Sequence, residues 1–455
     1  MALRLDTLPE EIINEIFINV AMIDFGFNTS CVLLNLCITC KCFNKIATPL
    51  LVRNLRAIGT DSASRLRLFM RHLLQHPEYE MKVRYFSVNS TRIGIIEPSK
   101  KLMAGLEFSE DEIEALKRLA RESILGNDAK FVKTISEGDG DAINDALLAL
   151  FLIRTIRLEL LLLNLSPRSY VKTFINKVAE LLESEDAGPM LPLQNLRYVS
   201  LIGYYGASLY VNDYGTLFCL PRLSEISIHN VGTLLDTSRS VHLRPHVSNV
   251  KKLVITCDEI DFEGLNIVIE SCKALKSLSI TRWLAQRFYM EGFGRRLVVS
   301  QAHSLEELKI DQISIGNFIR RPCLENLLVG LTTLSSLHIH IESFYTYEEI
   351  LIGPLTSKPL YLLLPASLKK LQIMQPDLER RKWTYGIHVI RILEQYISDI
   401  LAHEEQKKLE YISAIGWLHP EDEGCTKLWQ LCNEANIKLE LSVDDFIPQE
   451  ELVTS

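Results

Sequence analysis

LKSLSI at residues 275–280 and LEELKI at residues 305–310 share one pattern: a leucine, two polar residues, a leucine, one polar residue and an isoleucine. The pattern returns as LRYVSL from Leu196, LSEISI from Leu223, VKKLVI from Val250, LSSLHI from Leu334 and LKKLQI from Leu368. Successive first positions lie 27, 27, 25, 30, 29 and 34 residues apart, each value the difference between neighbouring starts. VRYFSV from Val83, IRTIRL from Ile153 and LEYISA from Leu409 read as further members separated by insertions. Within each copy, apolar and polar residues alternate at period two, which in a strand sends one set inward and the other outward.

Between copies the rhythm becomes helical or irregular, as in FEGLNIVIESC before LKSLSI. One such unit cannot bury its own apolar face, so neighbours must stack. The expected architecture is α/β: a curved parallel sheet on the concave side, helices on the convex side, spanning about Tyr79 to Leu441. A chain of 455 residues exceeds what one compact core usually serves, which agrees with an elongated repeat body. The composition, 47% hydrophobic and 23% charged, excludes wholesale disorder. A formal charge of −8 argues against broad nucleic-acid binding, which needs surplus Lys and Arg to neutralise phosphates.

The first residues carry Asp6, Glu10 and Glu11 and no apolar run behind a basic start, so a secretory signal is not expected. Cytoplasmic and/or nuclear residence follows, with the ten cysteines reduced. ALLALFLIRTIRLELLLLNL, residues 146–165, approaches membrane-spanning length but holds Arg154, Arg157 and Glu159, so a buried helix followed by a strand is expected, not a span.

At the N-terminus, Leu8, Ile12, Ile13, Ile16, Phe17 and Val20 recur at helical spacing, with Thr7 and Glu10 spaced as a capping box and Pro9 in the first turn. MIDFGFNTS, residues 22–30, reads as a loop. Leu33, Leu36, Cys37, Cys40, Phe43, Ile46 and Ala47 then resume a helical rhythm that Pro49 is expected to end. Two or three short helices in about 55 residues expose more apolar stripe than their own core covers, and another surface must cover the rest.

LPEEIINEIF followed by LLNLCITCKCFNKIATPLL resembles the F-box, whose pattern is L-P-x-E-(apolar)-x-x-x-I-F and then L-x-x-(V/C)-C-K-x-(F/W)-x-x-(I/L)-A. The inter-helix loop is longer than in compact members, and Phe43 stands where many members place Trp. The repeats resemble the leucine-rich-repeat family, whose usual period is about 20 to 29, and the pairing matches many fungal F-box proteins. The resemblance implies a non-catalytic substrate-recognition subunit of an SCF-type ubiquitin ligase, whose F-box docks on a Skp-type adaptor and through it on cullin and RING subunits. It implies that Leu8, Pro9, Ile12, Ile16, Phe17, Leu36, Cys40, Lys41 and Phe43 build the module or press on the adaptor, without dividing contact from core. The alternative is a repeat scaffold whose N-terminal helices only cap the stack. The segments are then 1–55 for the F-box module, 56–150 for an N-terminal repeat region with a helical insertion, 151–445 for the solenoid and 446–455 for a tail.

The outward positions of the strands are Arg157 and Glu159, Ser200, Ser227 and His229, Val254 and Thr256, Ser279 and Thr281, Lys309 and Asp311, His338 and His340, then Gln372 and Met374. They are polar, varied and balanced in charge, which suits recognition of a protein target; a solvated face that binds nothing would carry the same residues. His338 and His340 point the same way but lack an evident third ligand, and in HLRPH (His242 to His246) Pro245 breaks the helix that would align two imidazoles. Cys37 and Cys40 form one CxxC pair without a second, so no metal and no cofactor are expected. GDGDAIND resembles part of a calcium loop, but position twelve from Asp139 is Leu150 rather than Glu. It reads instead as a linker, with a mobile loop near Ser136 to Asp141, after an amphipathic helix capped by Ser109 and Glu112. Phosphate-loop, GxSxG and HExxH signatures are absent, and EGFGRR at residues 291–296 is too short for a dinucleotide fingerprint, so an enzyme is not expected.

Overall fold

The computed structural model describes residues 8–23, 27–58, 62–89, 107–138, 140–165, 170–183, 191–203, 214–231, 243–257, 262–282, 290–312, 327–345, 350, 358–374, 382–403, 408–415 and 423–442. They form two compact units: Met1–Tyr204 with Cys219–Leu223, and Tyr205–Phe218 with Ser224–Ser455. Both are α/β, built from parallel strands added in chain order with helices between them.

The first unit opens with three helices, α1 (Glu10–Ile23), α2 (Phe27–Thr39) and α3 (Lys41–Arg53). The Pro9 carbonyl accepts from the Ile12 and Ile13 amides at 3.0 and 3.1 Å, which starts α1; Thr7 of the expected capping box lies outside the described residues. Most of the expected loop at 22–30 is helical instead, leaving only 24–26 between α1 and α2. Cys40 separates α2 from α3 by adopting an extended conformation (φ −159°, ψ 163°), its sulfur accepting from the Phe43 amide at 3.4 Å. Pro49 does not end α3. The proline withdraws one helical hydrogen bond, yet Leu50 and Val52 beyond it are buried, and that packing carries the helix on to Arg53.

Four strands follow: β1 (Asn54–Ile58), β2 (Tyr85–Asn89), β3 (Leu160–Leu165) and β4 (Tyr198–Gly203). Asn54 pairs with Tyr85, Tyr85 with Leu160 and Leu160 with Tyr198, all parallel. β1 is a repeat strand that the sequence pattern did not single out, and it begins one residue after α3 ends. β3 corrects a register. Ile153 belongs to the last turn of the helix Gly140–Arg154, and Thr155, its hydroxyl donating to the Phe151 carbonyl at 3.1 Å, begins the turn. The repeat leucines are therefore Leu158, Leu161 and Leu163, all fully buried, five residues downstream of the spelling IRTIRL. LELLLL offers several alternations, and pairing with Phe86 and Val199 selects this one.

The inserted helices are α4 (Ser62–Gln75), α5 (Glu110–Glu122), α6 (Ala129–Glu137) and α7 (Gly140–Arg154), followed by α8 (Tyr170–Glu183). Ser109 and Glu112 form the expected capping box at α5, and Glu112 also accepts from Arg71 Nε of α4 at 2.7 Å. The span Ser136–Asp141 is helix end, Gly138 and helix start around one undescribed residue, not a long loop, and the calcium-like GDGDAIND lies mostly within α7. Ala146 to Leu152 are buried on every face of α7, which explains the apolar run there. Among the described residues no helix is long and apolar enough to cross a membrane.

The second unit contains β5 (Glu225–Val231), β6 (Lys252–Cys257), β7 (Ser277–Arg282), β8 (Glu307–Gln312), β9 (Ser336–His340), β10 (Lys370–Met374), β11 (Tyr411–Ile415) and β12 (Lys438–Ser442). Each pairs in parallel with the next, as in Ser277 with Glu307 and Glu307 with Ser336. Leu275, Leu278 and Ile280 of one copy and Leu305, Leu308 and Ile310 of the next are buried. Each such side chain contributes about 1.5–3 kcal/mol by leaving water. The connections carry α9 (Phe262–Ser271), α10 (Met290–Gln301), α11 (Lys382–Ala402) and α12 (Glu423–Glu434), with short 3-10 turns elsewhere. β12 was not singled out in the sequence because Asn436 stands where the other copies place a leucine or valine.

A polar side chain ties consecutive repeats together. Gln301 is buried at the end of α10; its amide nitrogen donates to the Ile269 and Cys272 carbonyls at 3.0 and 2.9 Å. Its oxygen accepts from the Leu275 amide at 2.9 Å and the Ser304 hydroxyl at 2.7 Å. All four hydrogen-bonding positions of the carboxamide are used.

Candidate functional site

The N-terminal helices divide into core and surface. Ile13, Phe17, Leu33, Cys37, Phe43, Ile46, Ala47 and Leu50 form one cluster, with the rings of Phe17 and Phe43 edge to face at 5.3 Å. Phe17 is 1% exposed, so it and Phe43 hold the helices together and present no contact surface. Leu8, Ile16, Leu36 and Cys40 pack half-buried against that cluster, whereas Pro9 and Lys41 are exposed. Ile12 is 49% exposed, Leu34 56% and Ile38 78%. Leu34 and Ile38 stand one turn apart on the same side of α2. Together with Val32, four of the large exposed apolar side chains lie in this short module. Such side chains in water cost solubility unless something covers them. Sequence reasoning named Ile12 but missed Val32, Leu34 and Ile38, because only the packing of Leu33 and Cys37 fixes which side of α2 faces inward.

The strand faces opposite the repeat leucines are set by register. In the second unit, Thr256, Thr281 and Asp311 lie in one cross-strand row, and Lys309, His338 and Gln372 in another, as the spacing implied. His229 Nδ1 meets Thr256 Oγ1 at 3.2 Å, and burial pushes its imidazole below the ordinary histidine range. His340 Nε2 faces Asp311 Oδ1 at 3.4 Å, which assigns that nitrogen the proton. Burial alone would raise the Asp311 carboxyl, but the hydrogen bond from His340 and the fields of His340, Lys309 and His338 hold it below the usual carboxylate range. His338 is pushed down to about 4, first by burial and then by the Lys309 ammonium.

Arg157 and Glu159 are not on this face. Both precede β3 as corrected above: Arg157 is exposed in the turn, and Glu159 pairs with Arg84 Nε at 3.3 Å beside the sheet. The β3 positions that do face outward are Leu160, Leu162 and Asn164. Tyr411, Ser413 and Glu440 extend the outward face of the second unit through β11 and β12, with the Tyr411 hydroxyl donating to Glu440 at 2.7 Å. LEYISA had signalled β11, but its outward residues were not drawn from it.

Among the described residues no group of three or more His, Cys, Asp or Glu side chains is arranged to hold a metal ion. Cys37 is buried, Cys40 caps α3 and Cys42 is exposed, so the CxxC pair is spent on packing and capping. His242 lies outside the described residues, and His246 occupies a turn with φ 57°. Comparison with protein-family models gave no match, and neither did comparison with curated proteins.

Proposed function

We propose that the chain is the substrate-recognition subunit of an SCF-type ubiquitin ligase, α1–α3 docking on a Skp-type adaptor and the repeat strands holding a protein target. The observation that carries this reading is the small helical module with a complete internal core that still leaves Ile12, Val32, Leu34 and Ile38 in water. It stands on top of the sequence resemblance of LPEEIINEIF and CKCFNKIA to the F-box. The chain would form no bond itself. It would raise the local concentration of a target's lysines near a ubiquitin-charged enzyme, a gain in rate through proximity. The outward rows through Thr281, Lys309, Asp311, His338, His340 and Gln372 supply mixed donors, acceptors and both charges, the chemistry of peptide recognition rather than of phosphate backbone.

The test is co-expression of the full chain with a Skp-type adaptor and affinity capture. Wild type retains the adaptor, and Leu34→Asp with Ile38→Asp loses it while keeping its thermal transition. Phe17 is unsuitable for this purpose, since a charge there destroys the core. If the folded double variant captures adaptor as well as wild type does, the docking assignment is wrong. A second reading, helices that merely cap a scaffold, is favoured by α3 running into β1 without a linker. Under it, the wild-type chain captures no adaptor at all.

A further inference from the structure

Four ionisable side chains, Lys309, Asp311, His338 and His340, sit together on β8 and β9, and two of them carry a buried nitrogen without a partner among the described residues. His340 is 7% exposed, and among the described residues its Nδ1 has no hydrogen-bond partner; His338 Nε2 is likewise buried without one. A buried polar atom left unpaired is destabilising and uncommon enough to require a reason. Lys309 stands directly beside His338 on β8, and Asp311 faces His340 two residues further on. On the other side, β10 presents Gln372 against His338 and Met374 against His340, neither of which can take a charge. The described elements packed on the two imidazoles thus offer one carboxylate, already shared with His340, and one ammonium.

We propose that this cluster is a proton-operated latch: protonation of His338 on β9 releases the β8–β9–β10 patch of the outward face while the rest of the second unit stays folded. The latch concerns the opening itself and does not depend on which partner, if any, the face holds. A proton on His338 finds no free carboxylate among the described residues and lies beside the Lys309 ammonium. The closed arrangement therefore holds His338 neutral. With its ring held down to about 4 against an ordinary 6.5, the cost of staying closed grows as pH falls through 6.5 and levels off below 4. That gap corresponds to a shift of up to about 300-fold in the opening equilibrium. The direction is fixed: stability of the patch is greatest above pH 6.5 and declines toward acid.

The experiment is hydrogen exchange of the full-length protein between pH 7 and pH 4, corrected for intrinsic exchange rates and read by mass spectrometry. Peptides from β8, β9 and β10 should lose protection by one to two orders of magnitude as pH falls, while β6 peptides keep theirs. His338→Gln should abolish most of this response. Lys309→Met, which relieves the repulsion on His338, should shrink it and keeps the test decisive if the glutamine variant fails to fold. In the wild type, NMR should place the His338 titration near pH 4. A pH-independent patch, an acid response retained in both variants, or loss of β6 together with β9 in a single step would each overturn the latch.

Discussion

Replacing Gln301 by leucine should be among the most damaging single changes available in the second unit. The substitution keeps much of the volume but removes both donations to the Ile269 and Cys272 carbonyls and the acceptance from the Leu275 amide. Two buried backbone groups, the Cys272 carbonyl and the Leu275 amide, then lose their partners, while the Ile269 carbonyl keeps the Cys272 amide at 3.1 Å. At about 1–3 kcal/mol for each orphaned group, the loss is roughly 2–6 kcal/mol, a large share of the stability of an ordinary domain. Gln301→Glu retains oxygens for the Leu275 amide and the Ser304 hydroxyl while losing both donations, and it adds a buried charge. Urea unfolding followed by far-ultraviolet circular dichroism at pH 7 measures both, with Arg296→Gln on the exposed side of α10 as a control expected within about 0.5 kcal/mol. A Gln301→Leu cost below 1 kcal/mol would refute the claim that this carboxamide ties one repeat to the next.

Three shorter predictions follow from the same packing. Leu161→Ala should cost about 2–5 kcal/mol and Arg157→Ala within about 0.5 kcal/mol in the same urea assay, because β3 carries its leucines five residues beyond the first spelling. Ser109→Ala should weaken the first unit by about 1 kcal/mol through the lost capping box on α5, seen as a lower denaturation midpoint with an unchanged slope. At pH 8 a maleimide should label exposed Cys42 in the native protein and leave Cys272 untouched until denaturant is added, since burial pushes the Cys272 thiol up to about 12.

The repeat body could be read in sequence because its signal is local and redundant. Leu275, Leu278 and Ile280 must all be apolar for one strand to close over the next, and the same demand is repeated down the chain. Where that redundancy becomes excess, as in LELLLL, several registers spell the same pattern, and only pairing with Phe86 and Val199 decides among them. Arg157 and Glu159 were misplaced for that reason. Pro49 misled for a different one: its cost is a single hydrogen bond, which the burial of Leu50 and Val52 outweighs. The imidazoles of His338 and His340 could be located but not valued from sequence. Their state depends on Lys309 and Asp311 a strand away and on burial that no spacing records.

The central claim is that Leu34 and Ile38 are left bare for a partner while Phe17 is not. It is tested most directly by hydrogen exchange of the full-length protein with and without a purified Skp-type adaptor. The account predicts slowed exchange along α2, centred on residues 34–38, with the repeat strands unchanged. Binding that leaves α2 exchanging at its free rate, or an adaptor that does not bind the intact chain, would contradict it.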